Sequence, residues 1–188
     1  FNNVFGLRPS QGRVPYGPTP ELFVQQLGTE GPMGRSVTDV ARLLSIQAGY
    51  DPRVPLSSKE DPAMFGQPLQ RDFMGARLGW LGDYNGYLPM DDGVLGLCES
   101  ALGDFSALGC EVEGCQPDFS MARLWRSWLV HRHWLVHGNL GAAYANPQKR
   151  ALLKPEAQWE VEGGLGLTAQ QVYQASLDRS EWYRALAK

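Results

Sequence analysis

The segment from Arg77 to Val112 constrains the fold of this chain more than any other stretch. Arg77-Leu-Gly-Trp-Leu81 reads as a buried strand. Asp91 or Asp92 is placed to cap a helix whose apolar face is Val94, Cys98, Ala101, Phe105 and Leu108. Gly109 ends that helix, and Cys110-Glu-Val112 reads as a second strand. A strand, a helix and a strand with short joints form a βαβ unit, so the strands should be parallel with a right-handed crossover. Burial of Val94, Phe105 and Leu108 should contribute about 1.5–3 kcal/mol each. A charge at Phe105 should then be among the most damaging single changes.

The flanking segments follow from local chemistry. Residues 4–8 look like a short strand stopped by Pro9, and residues 10–35 read mostly as loop. Ser36 is a good N-cap, with Asp39 three residues on, where its carboxylate reaches back to the cap amide and meets the positive helix end. Val37, Val40, Ala41, Leu44 and Ala48 form one stripe, and Gly49 and Pro52 stop the helix. Residues 50–75 read as an extended, Pro-rich connection. A helix follows Ser120, carrying Met121, Leu124, Trp125, Trp128, Leu129 and Leu135 near helical spacing; Gly138 and Gly141 weaken it beyond residue 137. Residues 146–164 read as irregular or short helix, with Pro155 suited to a first helical position. Thr168-Ala-Gln-Gln171 is a capping box that opens a last helix through about Ala187.

Composition narrows the function classes. A net charge of −3 with scattered Lys and Arg gives no electrostatic case for nucleic acid or an anionic membrane. No apolar run approaches the roughly 20 residues of a membrane span. Cys98, Cys110 and Cys115 match no disulfide framework or zinc site, which suits reduced thiols in a cytoplasmic protein; a Cys110–Cys115 bond stays open. His133 and His137 are one helical turn apart, but Trp134 stands where a His-Glu-x-x-His site needs its acid, so no metal is expected. Gly28, Gly31 and Gly34 resemble a phosphate loop faintly, yet Pro32 removes a donor and no Lys-Ser/Thr follows, so a tight turn is the better reading. Arg35 is one turn from Asp39 and either pairs with it or is solvated. The adjacent acids Asp91 and Asp92 do not face one site and read as cap and dipole partners.

Three blocks in the first sixty residues carry a further signal. Phe1, Gly6-Leu7-Arg8-Pro9-Ser10 and Gly12-Arg13-Val14-Pro15 come first. Gly31-Pro32-Met33, Arg35, Val37 and Asp39 follow, and then Ala48-Gly49, Asp51-Pro52-Arg53 and Val54-Pro55. The later Leu108-Gly109-Cys110-Glu111-Val112-Glu113 adds a fourth. In this order the blocks resemble the middle of the amidase-signature family. The resemblance implies an α/β fold, part of a mixed, mostly parallel sheet flanked by helices. It makes residues 1–188 a single partial amidase domain, with both ends looking cut.

That family hydrolyses carboxamides with a serine alkoxide, a second serine that relays its proton to a lysine, and backbone amides for the oxyanion. By the resemblance, those residues belong upstream of Phe1. Lys59, Lys149, Lys154 and Lys188 lack a glycine- and serine-rich loop beside them, so no catalytic residue is assigned and the chain alone is expected to be inactive. No cofactor is implied.

What the chain can still supply is a wall. Ligands of open α/β sheets bind beyond the C-terminal strand ends, which places Gly82, Asp83 and Tyr84 at a crevice. Tyr84, Trp125 and Trp128 are the candidate substrate-binding residues for the acyl pocket of a small-molecule amide, the plain alternative being core packing. Two family members are weighed. The subunit that transamidates misacylated tRNA carries a Tyr-Gly turn and a "DQIGP" run, which Pro15-Tyr16-Gly17-Pro18 and Leu27-Gly28-Thr29-Glu30-Gly31-Pro32 match only in part, so a stand-alone amidase is favoured. A non-catalytic α/β interaction module is the other class. Open strand edges template association, so self-pairing into a homodimer is one expectation.

Overall fold

The computed structural model describes residues 2–17, 19–23 and 28–187. Of the residues singled out above, Phe1, Pro18, Leu27 and Lys188 lie outside the described residues. The chain forms two compact units, Phe1–Arg71 and Asp72–Lys188.

In the first unit, β1 (Phe5–Gly6) pairs antiparallel with β2 (Met33–Gly34). The strand expected over 4–8 is thus only two residues long. Helix α1 (Val37–Gln47) opens at Ser36, whose hydroxyl accepts from the Asp39 amide. Asp39 does not reach the cap amide; its carboxylate accepts a hydrogen bond from the Ser36 hydroxyl at 2.8 Å. Among the described residues no ion pair joins Arg35 to Asp39. Val40 and Leu44 are buried, while Val37 is exposed, so the apolar stripe is only partly covered. A 3-10 turn, Pro62–Gly66, interrupts the connection expected to be extended and packs on α1. Asp61 caps it through the Ala63 amide.

The blocks that carried the family resemblance meet one another here. The Leu7 amide donates to Pro32 O at 3.1 Å, the Gly49 amide to Arg13 O at 3.0 Å, and the Ser58 amide to Gly12 O at 2.7 Å. Arg13 also forms an ion pair with Glu60. Asp51 receives the Arg53 guanidinium and amide, and these hydrogen bonds hold its carboxyl down to about 2.

In the second unit, β3 (Arg77–Trp80) and β4 (Glu111–Gly114) are parallel, with Arg77 opposite Glu111 and Trp80 opposite Gly114. Helix α2 (Val94–Ala107) lies between them in sequence. The expected βαβ unit is therefore present, within a two-stranded sheet. Two details differ. The cap is Gly93, at φ 82 and without a side-chain hydrogen bond, not Asp91 or Asp92. No residue of α2 is buried: Val94 and Phe105 stay 42% and 43% exposed, and Leu108, at its C-terminal cap, 56%. A pair of four-residue strands is too narrow to cover a helix of 14 residues, so the expected burial of β3 and of the α2 face is not reached within this chain. A charge at Phe105 accordingly loses the severe effect expected for a core position.

Helix α3 (Met121–Ala145) starts at Ser120, whose hydroxyl accepts from the Arg123 amide. It runs through Gly138 and Gly141 instead of weakening at 137. Glycine costs a helix about 1 kcal/mol, which tertiary packing overrides. That packing comes from α5 (Pro155–Leu165) and α6 (Ala169–Leu186), the short α4 (Pro147–Arg150) lying between α3 and α5 in the chain. The segment expected to be irregular is thus largely helical. Pro155 occupies the first turn of α5, and both halves of the Thr168–Gln171 capping box form. Val161 is fully buried and Ala175 nearly so.

Candidate functional site

The parallel pair ends at Trp80 and Gly114, and the loops that follow define the candidate site. Backbone and side chain tie them together: the Cys115 amide donates to Trp80 O at 2.9 Å, and Gln116 Nε2 donates to Leu81 O at 2.9 Å. Two clefts open beside this junction. One, of about 330 Å³, is lined by Trp80, Asp83, Asn85, Glu99 and Gln116 among others. The other, of about 470 Å³, is lined by Leu81, Cys115, Pro117, Asp118 and Leu186 among others. Both lie where the strand-end rule places ligands of α/β sheets.

The three candidate residues fall in two places. Trp125 and Trp128, one turn apart on α3, stack with centroids 5.0 Å apart and planes at 11°. They are 51% and 43% exposed, a large aromatic surface left open. Tyr84 lies in the loop after β3, between Asp83 and Asn85 of the first cleft. Its ring meets Trp182 of α6 at 6.3 Å. Among the described residues no ring contact joins Tyr84 to the tryptophan pair.

Sequence reasoning passed over the residues that hold this region. Arg123 donates to Asp178 through Nε and Nη2 at 2.9 and 2.6 Å, and its Nη1 pairs with Glu181 at 2.7 Å. Burial pushes the Asp178 carboxyl up, but hydrogen bonds from Arg123 and Gln174 and the charges of Arg123 and Arg126 outweigh it, so the group lies below the ordinary Asp value. Phe119 takes the Arg123 guanidinium on its face at 5.2 Å and meets Trp182 edge-on at 5.7 Å. The one signal available in the sequence was spacing, since Asp178 and Trp182 are one turn apart on α6.

The histidines serve packing. His133 sets its ring against Trp159 at 4.6 Å, and its Nε2 is buried with no hydrogen-bond partner. His137 Nδ1 lies 3.4 Å from Val161 O. No cluster of three or more His, Cys, Asp or Glu side chains is gathered among the described residues. His131 is buried, with Nδ1 2.8 Å from Ser127 O. Burial lowers its pKa, the Ser127 carbonyl opposes this, and the Arg179 charge adds to the lowering. A base with a folded pKa below its unfolded value contributes full stability above the unfolded pKa, about 6.5, and loses it as pH falls toward the folded value. Urea midpoints should therefore drop as pH falls below about 6.5, and His131→Asn should flatten that dependence. Asp178 and Asp51 act only at lower pH, below the ordinary Asp range, so the two windows separate. An unchanged slope in His131→Asn would count against this assignment.

Neither buried serine stands free as a nucleophile. The Ser57 hydroxyl hydrogen-bonds to Asp51 O and Val54 O at 2.9 and 2.8 Å, and Ser127 Oγ donates to Ala175 O at 2.7 Å. All three cysteines are free thiols, and no helix among the described residues is long and apolar enough to cross a membrane.

Comparison with known proteins agrees with this architecture. A solved bacterial aryl acylamidase of the amidase-signature enzymes superposes with a TM-score of 0.81 at 24% identity, covering 98% of this chain and 39% of that one. A second solved amidase gives 0.75 at 22% identity, covering all of this chain and 38% of that one. These likenesses show the fold. The glutamyl-tRNA(Gln) amidotransferase A subunit of Symbiobacterium thermophilum is 35% identical over 61% of this chain and 23% of its own length. The Ralstonia pickettii protein of the same name is 37% identical over 58% of this chain and 24% of its own. An acylamidase of Rhodococcus erythropolis is 31% identical over 62% of this chain and 24% of its own. The chain thus spans about a quarter of the length of these curated relatives. The model of the Amidase family matches residues 1–164, and the chain belongs to that family.

Proposed function

We propose that this chain is part of an amidase that hydrolyses a carboxamide C–N bond by a Ser-Ser-Lys mechanism whose reactive residues lie outside these 188. The products would be a carboxylate and ammonia or an amine, with no cofactor. The family match over residues 1–164 carries this reading. The hydrogen-bonded state of Ser57 and Ser127 supports the part that places the nucleophile elsewhere. On this reading the two compact units belong to one amidase domain of a cytoplasmic protein. Their share of the work is to hold the acyl portion of a small amide, with Tyr84, Trp125 and Trp128 as wall residues. The half-exposed stack of Trp125 and Trp128 supports that role, because a flat apolar surface left open suits an acyl or aryl group.

Two measurements test it. The purified 188-residue chain should show no serine-dependent release of aniline from acetanilide, whereas the longer polypeptide encoded around it should. In that longer polypeptide, Trp128→Ala should change the ratio of kcat/KM for benzamide over acetamide by about tenfold, the scale expected when an apolar pocket contact is lost. A shift in thermal stability with an unchanged ratio would return Trp128 to plain packing.

A second reading has its own support. Relatives at 35% and 37% identity carry the name of the amidotransferase A subunit, so the parent would instead deliver ammonia within a tRNA-dependent complex. The merely partial agreement at residues 15–18 and 27–32 with that protein's pattern favours the stand-alone enzyme. Glutamine hydrolysis stimulated by a misacylated tRNA, without acetanilide turnover, would reverse the choice.

A further inference from the structure

The loop after β3 holds an unusual backbone. Gly82, Tyr84, Asn85 and Gly86 have φ values of 57, 56, 58 and 80. Tyr84 and Asn85 are two successive residues with side chains in the left-handed region, a costly conformation that persists only under external restraint. Part of the restraint is local. The Tyr84 amide donates to Leu81 O at 3.2 Å, the Leu88 amide to Asp83 O at 3.0 Å, and the Gly86 amide to Asp83 Oδ1 at 2.8 Å. These bonds close the loop upon itself but do not aim it.

The aim comes from α6. Trp182 meets the Tyr84 ring at 6.3 Å with planes at 58° and the Phe119 ring at 5.7 Å with planes at 60°. Phe119 carries the Arg123 guanidinium, which is bonded to Glu181, the neighbour of Trp182, and to Asp178, one turn earlier. Trp182 is therefore braced by an aromatic and ionic network spanning α3 and α6. Its ring also meets Tyr84 of the strained loop. The loop in turn supplies Gly82, Asp83 and Asn85 to the cleft at the strand ends.

We infer that Trp182 is a positioning residue for the crevice: it clamps Tyr84 and thereby sets the shape of the Gly82–Gly86 loop at the strand ends. The consequence for acyl-group selection rests on the amidase reading above, while the clamp itself does not. Trp182 acts through Tyr84 and is no catalytic residue. Because aromatic contacts couple both partners, removing either ring should release the same loop, and removing both should add nothing further.

The test is amide hydrogen exchange on the full 188-residue chain. Trp182→Ala should accelerate exchange at Tyr84, Gly86 and Leu88 at least tenfold and leave Val161 of α5 within twofold. Trp182→Phe should restore most of the protection, and it serves as the readable variant if alanine unfolds the chain. Tyr84→Ala should match Trp182→Ala, and the double variant should exchange no faster than either. Unchanged loop exchange in Trp182→Ala would overturn the inference. So would an equal rise throughout α5, or a failure of phenylalanine to restore protection. Acetanilide, titrated into the wild-type chain, should shift the Tyr84 and Asn85 backbone resonances and lose that effect in Trp182→Ala. If acetanilide leaves the wild type unmoved while exchange still responds to Trp182, the acyl-pocket reading fails and the clamp stands.

Discussion

Alanine at Gly164 is expected to destabilise the helical part of the second unit by about 3 kcal/mol or more, the upper range for overpacking a close interface. Helices α3 and α5 approach each other over Gly163 and Gly164. A Cβ on Gly164 would overlap His137 Cβ and lie 2.7 Å from the His133 carbonyl oxygen. Both obstructing atoms belong to the α3 backbone or sit one bond from it, so no rotamer change relieves the clash and the helices must separate. Separation would uncover Val161, which has no exposed surface, and would break the fit of His133 against Trp159. At Gly163 the obstruction is different. There the added Cβ would overlap the His133 imidazole, a side chain. His133→Ala should therefore rescue much of the loss in Gly163→Ala and little of that in Gly164→Ala. Urea unfolding followed by tryptophan fluorescence measures both. A Gly164→Ala midpoint close to wild type would show that α5 slides past α3 at small cost.

This close approach also shows which parts of the molecule were legible beforehand. The caps at Ser36 and Thr168, the helix start after Ser120 and the Pro155 start were readable from chemistry within three or four residues, whereas the α2 cap was not, since Gly93 stands there in place of Asp91 or Asp92. The parallel pairing of β3 with β4 was readable for a related reason: a short strand–helix–strand connection leaves few topologies. The ordered glycine and proline blocks of the first sixty residues were readable as a family pattern. Their mutual hydrogen bonds give that pattern its physical content.

Burial was not legible, because it depends on partners. Phe105 and Leu108 have the composition of a core face, yet the strands beside them are too few to cover it. The continuation of α3 past Gly138 was hidden for the same reason, since only α5 and α6 reveal what offsets the weak helix formers. Gly163 and Gly164 fell in a segment read as irregular or short helix, and nothing local placed His133 and His137 against them. In the candidate site, Tyr84 and the tryptophan pair were visible as aromatics at strand ends and helical spacing. The partner of Tyr84 was not, since Trp182 lies about a hundred residues away in sequence and no local pattern announces such a contact.

In the first unit a large effect is expected at Gly12, the glycine of the Gly-Arg-Val-Pro block. Its φ of 78 is open to glycine and strained for alanine, at a cost of about 1 kcal/mol or more. An added Cβ would also overlap the Leu56 carbonyl oxygen and stand 3.3 Å from its carbon. That oxygen is backbone, held in a turn where the Ser57 amide donates to Val54 O at 3.0 Å and the Ser58 amide to Gly12 O at 2.7 Å. Moving it breaks the bond that joins the two segments, adding roughly 1 kcal/mol. Displacing the packed turn around buried Val54 and Ser57 adds about another 1–3 kcal/mol. Gly12→Ala should thus lose about 3 kcal/mol or more in all. Gly66→Ala, where a Cβ would meet nothing within 4 Å, should stay within about 0.5 kcal/mol of wild type. All six tryptophans fall between residues 80 and 182, so fluorescence does not report on this unit directly. Amide exchange does. The Ser58 and Gly49 amides should lose protection in Gly12→Ala, because the Gly49 amide is held by the carbonyl of the very next residue, Arg13. Retained protection at both amides would mean that the Leu56 turn yields without releasing its partners, and the physical account of this block's glycine would fall.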